Sequence, residues 1–401
     1  MNNTKFFLHT LWQLCLPIMK DTVLFRSFMG QYNDNPKYIS EKLHERHPEI
    51  NIVWTIGKGV EESTFPDYVE TVELGSAEFA KYAARAEVVV DNYSGTRTNF
   101  LTENNLIKRV IFSLTAKKRR GQFNLSTWHG TPLKHISLDE PTYKNAEFVR
   151  IYCNSDMLMS GCKLTSSAYK TAFCWEKPIL MKGTPRNDLM FSRDSDAIKR
   201  KLALPSDKKV VLFAPTFRES IEMSGVFQMN EIDTQRLFSA LSQKFGGEWC
   251  FVFRAHNLVM AKIRDEHSEI ISNVINGNEF PDMAEYLACT DLLITDYSSS
   301  MFDYSLSGRP CMLYAPDLDN YKNLERGFYI GIDTLPYPLS ESFEGLIENI
   351  ERFESDNYNN KVDEFLKSIG NIEFGGASDA AVNEIEKHIK GLRHKIGGKQ
   401  E

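Results

Sequence analysis

Residues 291–302 read Asp-Leu-Leu-Ile-Thr-Asp-Tyr-Ser-Ser-Ser-Met-Phe, or DLLITDYSSSMF. Asp291 to Asp296 reads as a strand, an apolar and β-branched run without alternation between two aspartates. Ser298-Ser299-Ser300-Met301-Phe302 then open a helix. Strand, hydroxyl-rich turn and helix in that order form the repeating unit of a doubly wound parallel sheet.

The same unit recurs on both sides. Lys209–Thr216 is a buried strand after the turn at Pro205-Ser206-Asp207. Thr234–Phe245 reads as a helix, and Cys250–Arg254 as a strand ending in Ala255-His256-Asn257. Met283–Cys289 is a short helix and Pro310–Tyr314 a strand; the segment from about 340 to 390 is helical and polar. Toward the N-terminus, strands are expected at Thr22–Phe28, Asn51–Gly57, Glu87–Asp91, Gln122–Thr127 and Phe148–Cys153, with helices at Tyr38–His47 and Ser76–Arg85. The chain of 401 residues is too long for one core. The expected fold is therefore α/β, with two Rossmann-like doubly wound parallel-sheet domains facing a cleft. The domains are taken as residues 1–190 and 191–401, with the seam in the Gly/Pro/Asn-rich Gly183–Asp188 and the C-terminal helices free to pack back on the first domain.

A net charge of −7 speaks against a nucleic-acid partner. The seven cysteines form no CxxC pair, which fits reduced thiols and no zinc site. Lys5–Pro17 is apolar but interrupted by His9 and Gln13, and it falls short of the about 20 residues that span a bilayer. It reads as a helix docked on the core or lying in a membrane interface. Lys117-Lys118-Arg119-Arg120 is either a solvated loop or a contact for anionic headgroups.

Polar groups that could carry chemistry cluster just past the carboxyl ends of the expected strands, where open α/β sheets bind ligands. In Asp296–Ser300, free backbone N–H groups and serine hydroxyls suit a phosphate, although a plain serine N-cap would look similar. No GxxxxGK[ST] is present, which excludes a P-loop. Thr216 and Arg218 follow the Lys209 strand. Arg218 could fork onto a phosphate or pair with a surface carboxylate. His256 could neutralise a departing phosphate or bond a loop carbonyl. His129, in Ser126-Thr127-Trp128-His129-Gly130-Thr131-Pro132-Leu133-Lys134, sits on a turn at a strand end and has the residue type that takes a proton from a hydroxyl. Trp128 could stack on a sugar or fill the core; Gly130 and Pro132 shape the loop; Lys134 could meet phosphate. Arg326 could hold phosphate or lie in a solvated loop.

Taken together these segments resemble the CDP-glycerol glycerophosphotransferase family of teichoic acid synthesis, which is similar to GT-B glycosyltransferases. The matching strings are GQYNDNPKYI (30–39), STWHGTPLK (126–134), GTPRND (183–188), VLFAPTFR (211–218), DLLITDYSSSMFDY (291–304) and LERGFY (324–329). The resemblance implies transfer of glycerol phosphate from CDP-glycerol to a hydroxyl of a lipid-linked glycan or poly(glycerol phosphate), with CMP released and no metal or other cofactor. It implies His129 as general base and His256 near the donor phosphates. Donor contacts would come from Arg218, Thr216, Asp296, Ser298, Ser299, Ser300 and Arg326, and acceptor contacts from Trp128, Gly130, Thr131 and Lys134. It further implies a cytoplasmic enzyme, peripheral on the inner face of the membrane. The residues leave open a CDP-ribitol donor, a nucleotide-sugar donor in a GT-B glycosyltransferase, and a glycan-binding protein without catalysis.

Overall fold

The computed structural model describes residues 3–93, 118–140, 155–191, 194–216, 232–255, 274–318 and 327–397. Two parallel sheets carry the chain. The first holds β1 (Met19–Arg26), β2 (Asn51–Ile56), β3 (Val69–Glu73), β4 (Ala86–Asp91), β5 (Phe123–Ser126), β6 (Met157–Ser160) and β7 (Ile179–Met181), in the order β3-β2-β1-β4-β5-β6-β7. The second holds β8 (Lys209–Ala214), β9 (Trp249–Phe253), β10 (Val274–Asn276), β11 (Leu292–Thr295), β12 (Cys311–Tyr314) and β13 (Leu339–Ser340), in the order β10-β9-β8-β11-β12-β13. This is the expected pair of doubly wound α/β units in a GT-B-like arrangement.

Burial explains why the central strands read so clearly. Val23, Leu24 and Phe25 of β1 and Val210–Phe213 of β8 are wholly buried, so neither face tolerates a polar residue. Phe25 stacks on Trp54 with ring centroids 5.7 Å apart. The edge strands β3, β7, β10 and β13 are short or half-polar and gave no readable pattern. β6 lies at Met157–Ser160, and the strand expected at Phe148–Cys153 falls outside the described residues.

The order of strands reverses between β1 and β4 in one sheet and between β8 and β11 in the other. A crevice opens at each such switch point, at the carboxyl ends of the strands. The chain joins the lobes through the turn Pro185–Phe191 and returns after the helix Ser355–Ser368. The last helix, Ala377–Gly397, then buries Ala381, Val382, Ile385 and Ile389 in the core of the first sheet. Asp188 caps it, accepting from the backbone N–H groups of Ala377 and Ser378 at 2.9 and 2.8 Å.

Buried ionic and main-chain contacts lock the lobes together. Lys37 donates to Asp282 Oδ2 at 2.7 Å and to Glu285, and Tyr38 donates to the same Asp282 oxygen at 2.7 Å. His135 N–H donates to Gly327 O at 3.1 Å and Tyr329 N–H to Leu133 O at 2.9 Å, a two-bond bridge between the loop after His129 and the second lobe.

The first helix, Asn3–Cys15, docks beside the helix Ala77–Arg85 and leaves Leu8 58% and Trp12 61% exposed. Arg119 closes its C-terminal end, donating to Gln13 O, Ala84 O and Leu16 O, and Lys118 pairs with Asp156. Two members of the basic run thus serve the fold. The described cysteines are all free thiols. Among the described residues no helix is long and apolar enough to cross a membrane.

Candidate active site

Two cavities meet where the switch points face each other. One, of about 370 Å³, takes Phe28, Asn92 and Tyr93 from the β1/β4 crevice and Asp282, Met283 and Asp303 from the second lobe. The other, of about 410 Å³, lies against the β8/β11 crevice at Pro215, Thr216 and Tyr297 and reaches Lys134 and His135. His129, Ser298 and Ser299 line both.

His129 stands in that shared wall. Its Nδ1 lies 3.1 Å from the carbonyl oxygen of Asn92, which only accepts, so Nδ1 carries the proton and a neutral ring keeps its lone pair on Nε2. Asn92 is itself fixed: its Nδ2 donates to Asp34 Oδ2 and to Ser27 Oγ at 3.3 Å, and its Oδ1 accepts from Phe28 N–H at 3.1 Å. The imidazole is open to the cavities yet deep between the lobes. Desolvation there pushes its pKa below 6.5 and Arg186 pushes the same way, while the bond to Asn92 and the Asp34 charge oppose them. The ring is held neutral near pH 7.

Trp128 fills the core, one of its two expected purposes. It packs with Leu158, Tyr169 and Phe173, and it stacks on His129 with centroids 3.9 Å apart. Its φ of 54° is a left-handed conformation that costs energy in a bulky residue, and such strain collects at functional loops. Asn35 stabilises it by donating from Nδ2 to Trp128 O at 3.0 Å. At Gly130, with φ 111°, an added Cβ would stand 2.3 Å from Arg186 Nη2, so a side chain there forces the loop or Arg186 to shift.

Arg186 is the residue that sequence reasoning missed. Nε and Nη2 donate to Asp303 Oδ2 at 3.1 and 2.6 Å, Nη1 to Asp34 Oδ1 at 2.8 Å, and its backbone N–H to Asn35 Oδ1 at 3.0 Å. The guanidinium thereby ties the start of the helix Asp34–Arg46 to the helix Ser300–Ser305, and Asn35 links the Arg186 backbone to the 126–134 loop. A readable signal existed: Asn92 and Asp34 also lie past strand ends, and Arg186 sits in the turn taken as a mere seam.

The second-lobe residues fall into different places. Ser298 and Ser299 face both cavities and Ser300 faces the smaller. The helix they open has only six residues, and Ser299 at its cap makes no side-chain cap bond. Ser298 Oγ lies 2.9 Å from Ser300 Oγ. Asp296, read as a donor-binding residue, lines neither cavity. It is buried, and its Oδ1 accepts from the backbone N–H groups of Thr216 and Tyr297 at 2.8 and 2.6 Å, which shapes the crevice. Thr131 contacts Cys162 and Thr165. Trp128, Gly130, Thr131 and Lys134, read as acceptor-side, share the larger cavity with Thr216. Arg218, His256 and Arg326 lie outside the described residues. Among the described residues, no group of three or more His, Cys, Asp or Glu could hold a metal ion.

A family model for CDP-glycerol:poly(glycerophosphate) glycerophosphotransferases matches residues 8–387. The chain is 32% identical over 393 residues to the teichoic acid poly(glycerol phosphate) polymerase of Staphylococcus epidermidis, covering 92% of this chain and 51% of that one. It thus spans about half the length of that relative. It is 31% identical over 396 residues to the teichoic acid glycerol-phosphate transferase of Staphylococcus aureus, covering 92% of this chain and 93% of that one. A solved structure of the wall teichoic acid polymerase TagF, a histidine-to-alanine variant, superposes with a TM-score of 0.81 at 28% identity, covering 97% of this chain and 95% of that one. With His129 and the serines facing each other across paired switch-point crevices, the chain belongs to the CDP-glycerol:poly(glycerophosphate) glycerophosphotransferase family.

Proposed function

We propose that the protein transfers glycerol phosphate from CDP-glycerol to a hydroxyl of a lipid-linked or polymeric glycan acceptor in teichoic acid or related polymer synthesis. The observation that carries this reading is His129: a neutral imidazole with its free Nε2 in the wall shared by two cavities, opposite Ser298 and Ser299. Family membership and a TagF variant solved with CDPG support the choice of donor.

The acceptor oxygen attacks the β-phosphorus, the one bearing glycerol, and forms a new P–O bond. The P–O bond to the α-phosphate breaks, and CMP leaves with the electron pair. His129 Nε2 takes the hydroxyl proton; such general-base help is typically worth about 10²–10⁴-fold. The Ser298 and Ser299 hydroxyls steady charge on the transferred phosphoryl group. His256, by family resemblance, and Arg218 and Arg326, by residue type, are assigned to the phosphates of the donor, the α-phosphate leaving with CMP.

CMP release is measured from CDP-glycerol and CDP-ribitol, for the native chain and His129→Ala. Turnover of CDP-glycerol that collapses in the variant supports the reading. Turnover of a nucleotide sugar alone overturns it.

We assign the protein to the cytoplasmic membrane surface as a peripheral enzyme. Leu8 and Trp12, one helical turn apart and both exposed, would enter the interface. Absence of flotation with anionic liposomes would defeat that assignment.

A further inference from the structure

A second histidine shares the larger cavity with His129. His135 lines it together with Lys134, Thr216, Ser298 and Ser299. Its ring is fixed from both lobes. The His135 N–H donates to Gly327 O at 3.1 Å, and Tyr329 N–H donates to Leu133 O at 2.9 Å. The Tyr329 ring meets the imidazole edge to face, with centroids 4.7 Å apart, and its hydroxyl donates to Asp139 Oδ2. Gly327 closes over the imidazole: an added Cβ there would stand 2.6 Å from Nδ1.

That enclosure leaves His135 Nδ1 buried and without a hydrogen-bond partner. Such an atom costs stability, and a phenylalanine ring would fill the space without the cost. The enclosure also decides the tautomer. A proton on Nδ1 would be a donor with no acceptor, so the neutral ring carries its proton on Nε2, and a protonated ring carries one there too. Nε2 is a donor in either state. His129 is the reverse, with its proton on Nδ1 and a lone pair on Nε2. Two histidines on one loop thus offer opposite chemistry: one accepts a proton, the other gives a hydrogen bond.

The charges around His135 say what it would meet. The described lining of the larger cavity carries Lys134 and no carboxylate. Asp296 behind it accepts from the Thr216 and Tyr297 backbone N–H groups, and Asp317 from the Tyr297 hydroxyl at 3.1 Å. A lysine, serine hydroxyls and an imidazole N–H suit an anionic oxygen. Resting on the transfer reading above, we propose that His135 Nε2–H donates a hydrogen bond to the diphosphate of CDP-glycerol. It is a donor-binding contact supplied by the first lobe, and it takes no proton in the reaction.

The test is calorimetric titration of the full chain with CDP-glycerol and with cytidine, without acceptor. His135→Phe keeps a ring and removes Nε2–H. It weakens CDP-glycerol roughly 10- to 100-fold and leaves cytidine unchanged, while the thermal midpoint does not fall. His135→Gln, whose amide nitrogen reaches the Nε2 position, retains binding; His135→Asn, which reaches only the Nδ1 position, does not. Unchanged CDP-glycerol affinity in His135→Phe, or an equal loss for cytidine, overturns the proposal. A native chain that binds no CDP-glycerol retires the transfer reading itself. Inorganic pyrophosphate, titrated into the native chain and His135→Phe, then decides the contact: weaker binding in the variant upholds it, and equal binding ends it.

Discussion

Arg186 and Asp303 form a forked ion pair in which Nη2 and Nε reach the same Oδ2 oxygen, at 2.6 and 3.1 Å. Arg186 leads out of the first lobe and Asp303 belongs to the second. With Nη1 on Asp34, the guanidinium is a hub between lobes, placed directly under the loop that carries His129.

Removing that hub is expected to be costly. Arg186→Gln leaves the enclosed Asp34 and Asp303 carboxylates unpaired, which typically costs about 3–5 kcal/mol. Asp303→Asn, which keeps shape and loses charge, should cost less. Urea unfolding compares the two. Equal stability of Arg186→Gln and the native chain would show that the hub does not hold the lobes.

The pH profile of kcat/KM should report His129. A base must be neutral, so activity is retained above its pKa and falls as pH drops through it. Burial places that acid limb below 6.5. Arg186 lowers the His129 pKa, so Arg186→Gln should move the limb to higher pH. His129→Gln should lose about 10²–10⁴-fold in rate and lose the limb with it. A limb that persists in His129→Gln assigns the base elsewhere.

Gly130→Ala tests the close approach. The new methyl meets Arg186 Nη2 at 2.3 Å in a backbone conformation with φ 111°. The loop must shift or the ion pair must break. Strain of this kind costs on the order of 1–3 kcal/mol. Thermal unfolding and kcat should fall together. The double variant Gly130→Ala/Arg186→Gln should be less impaired than the sum of its parts.

Glu373 should make stability depend on pH. It lies at the return crossing, accepting from Thr184 N–H at 2.9 Å and Asn187 Nδ2 at 3.2 Å. Burial raises its carboxyl from 4.5 to about 7, and nearby Asp303 adds to the rise. The folded state therefore binds the proton more tightly. Its contribution is full below pH 4.5 and is lost as pH climbs toward 7. Glu373→Gln should flatten that part of the stability curve, measured by denaturant midpoints at stepped pH. An unchanged curve would assign the dependence to other groups.

The parallel strands at the centre of both sheets were legible because continuous apolar runs such as Val210–Phe213 have one stable home, a strand covered on two faces. The edge strands were not, since β10 and β13 are brief and half-exposed and draw their register from neighbours. Asp296 shows the limit of reading by position. Its place after β11 was readable, but only packing set its Oδ1 on the Thr216 and Tyr297 N–H groups.

By itself the sequence determined the two doubly wound units, the loops that bear His129 and Ser298–Ser300, and their family. These follow from local patterns that leave each segment one favourable partner. The tertiary structure alone decided that Asp34, Asn92, Arg186 and Asp303, drawn from across the chain, converge on His129. Such convergence is set by how the two sheets meet, and burial of unpaired charge makes any other meeting expensive.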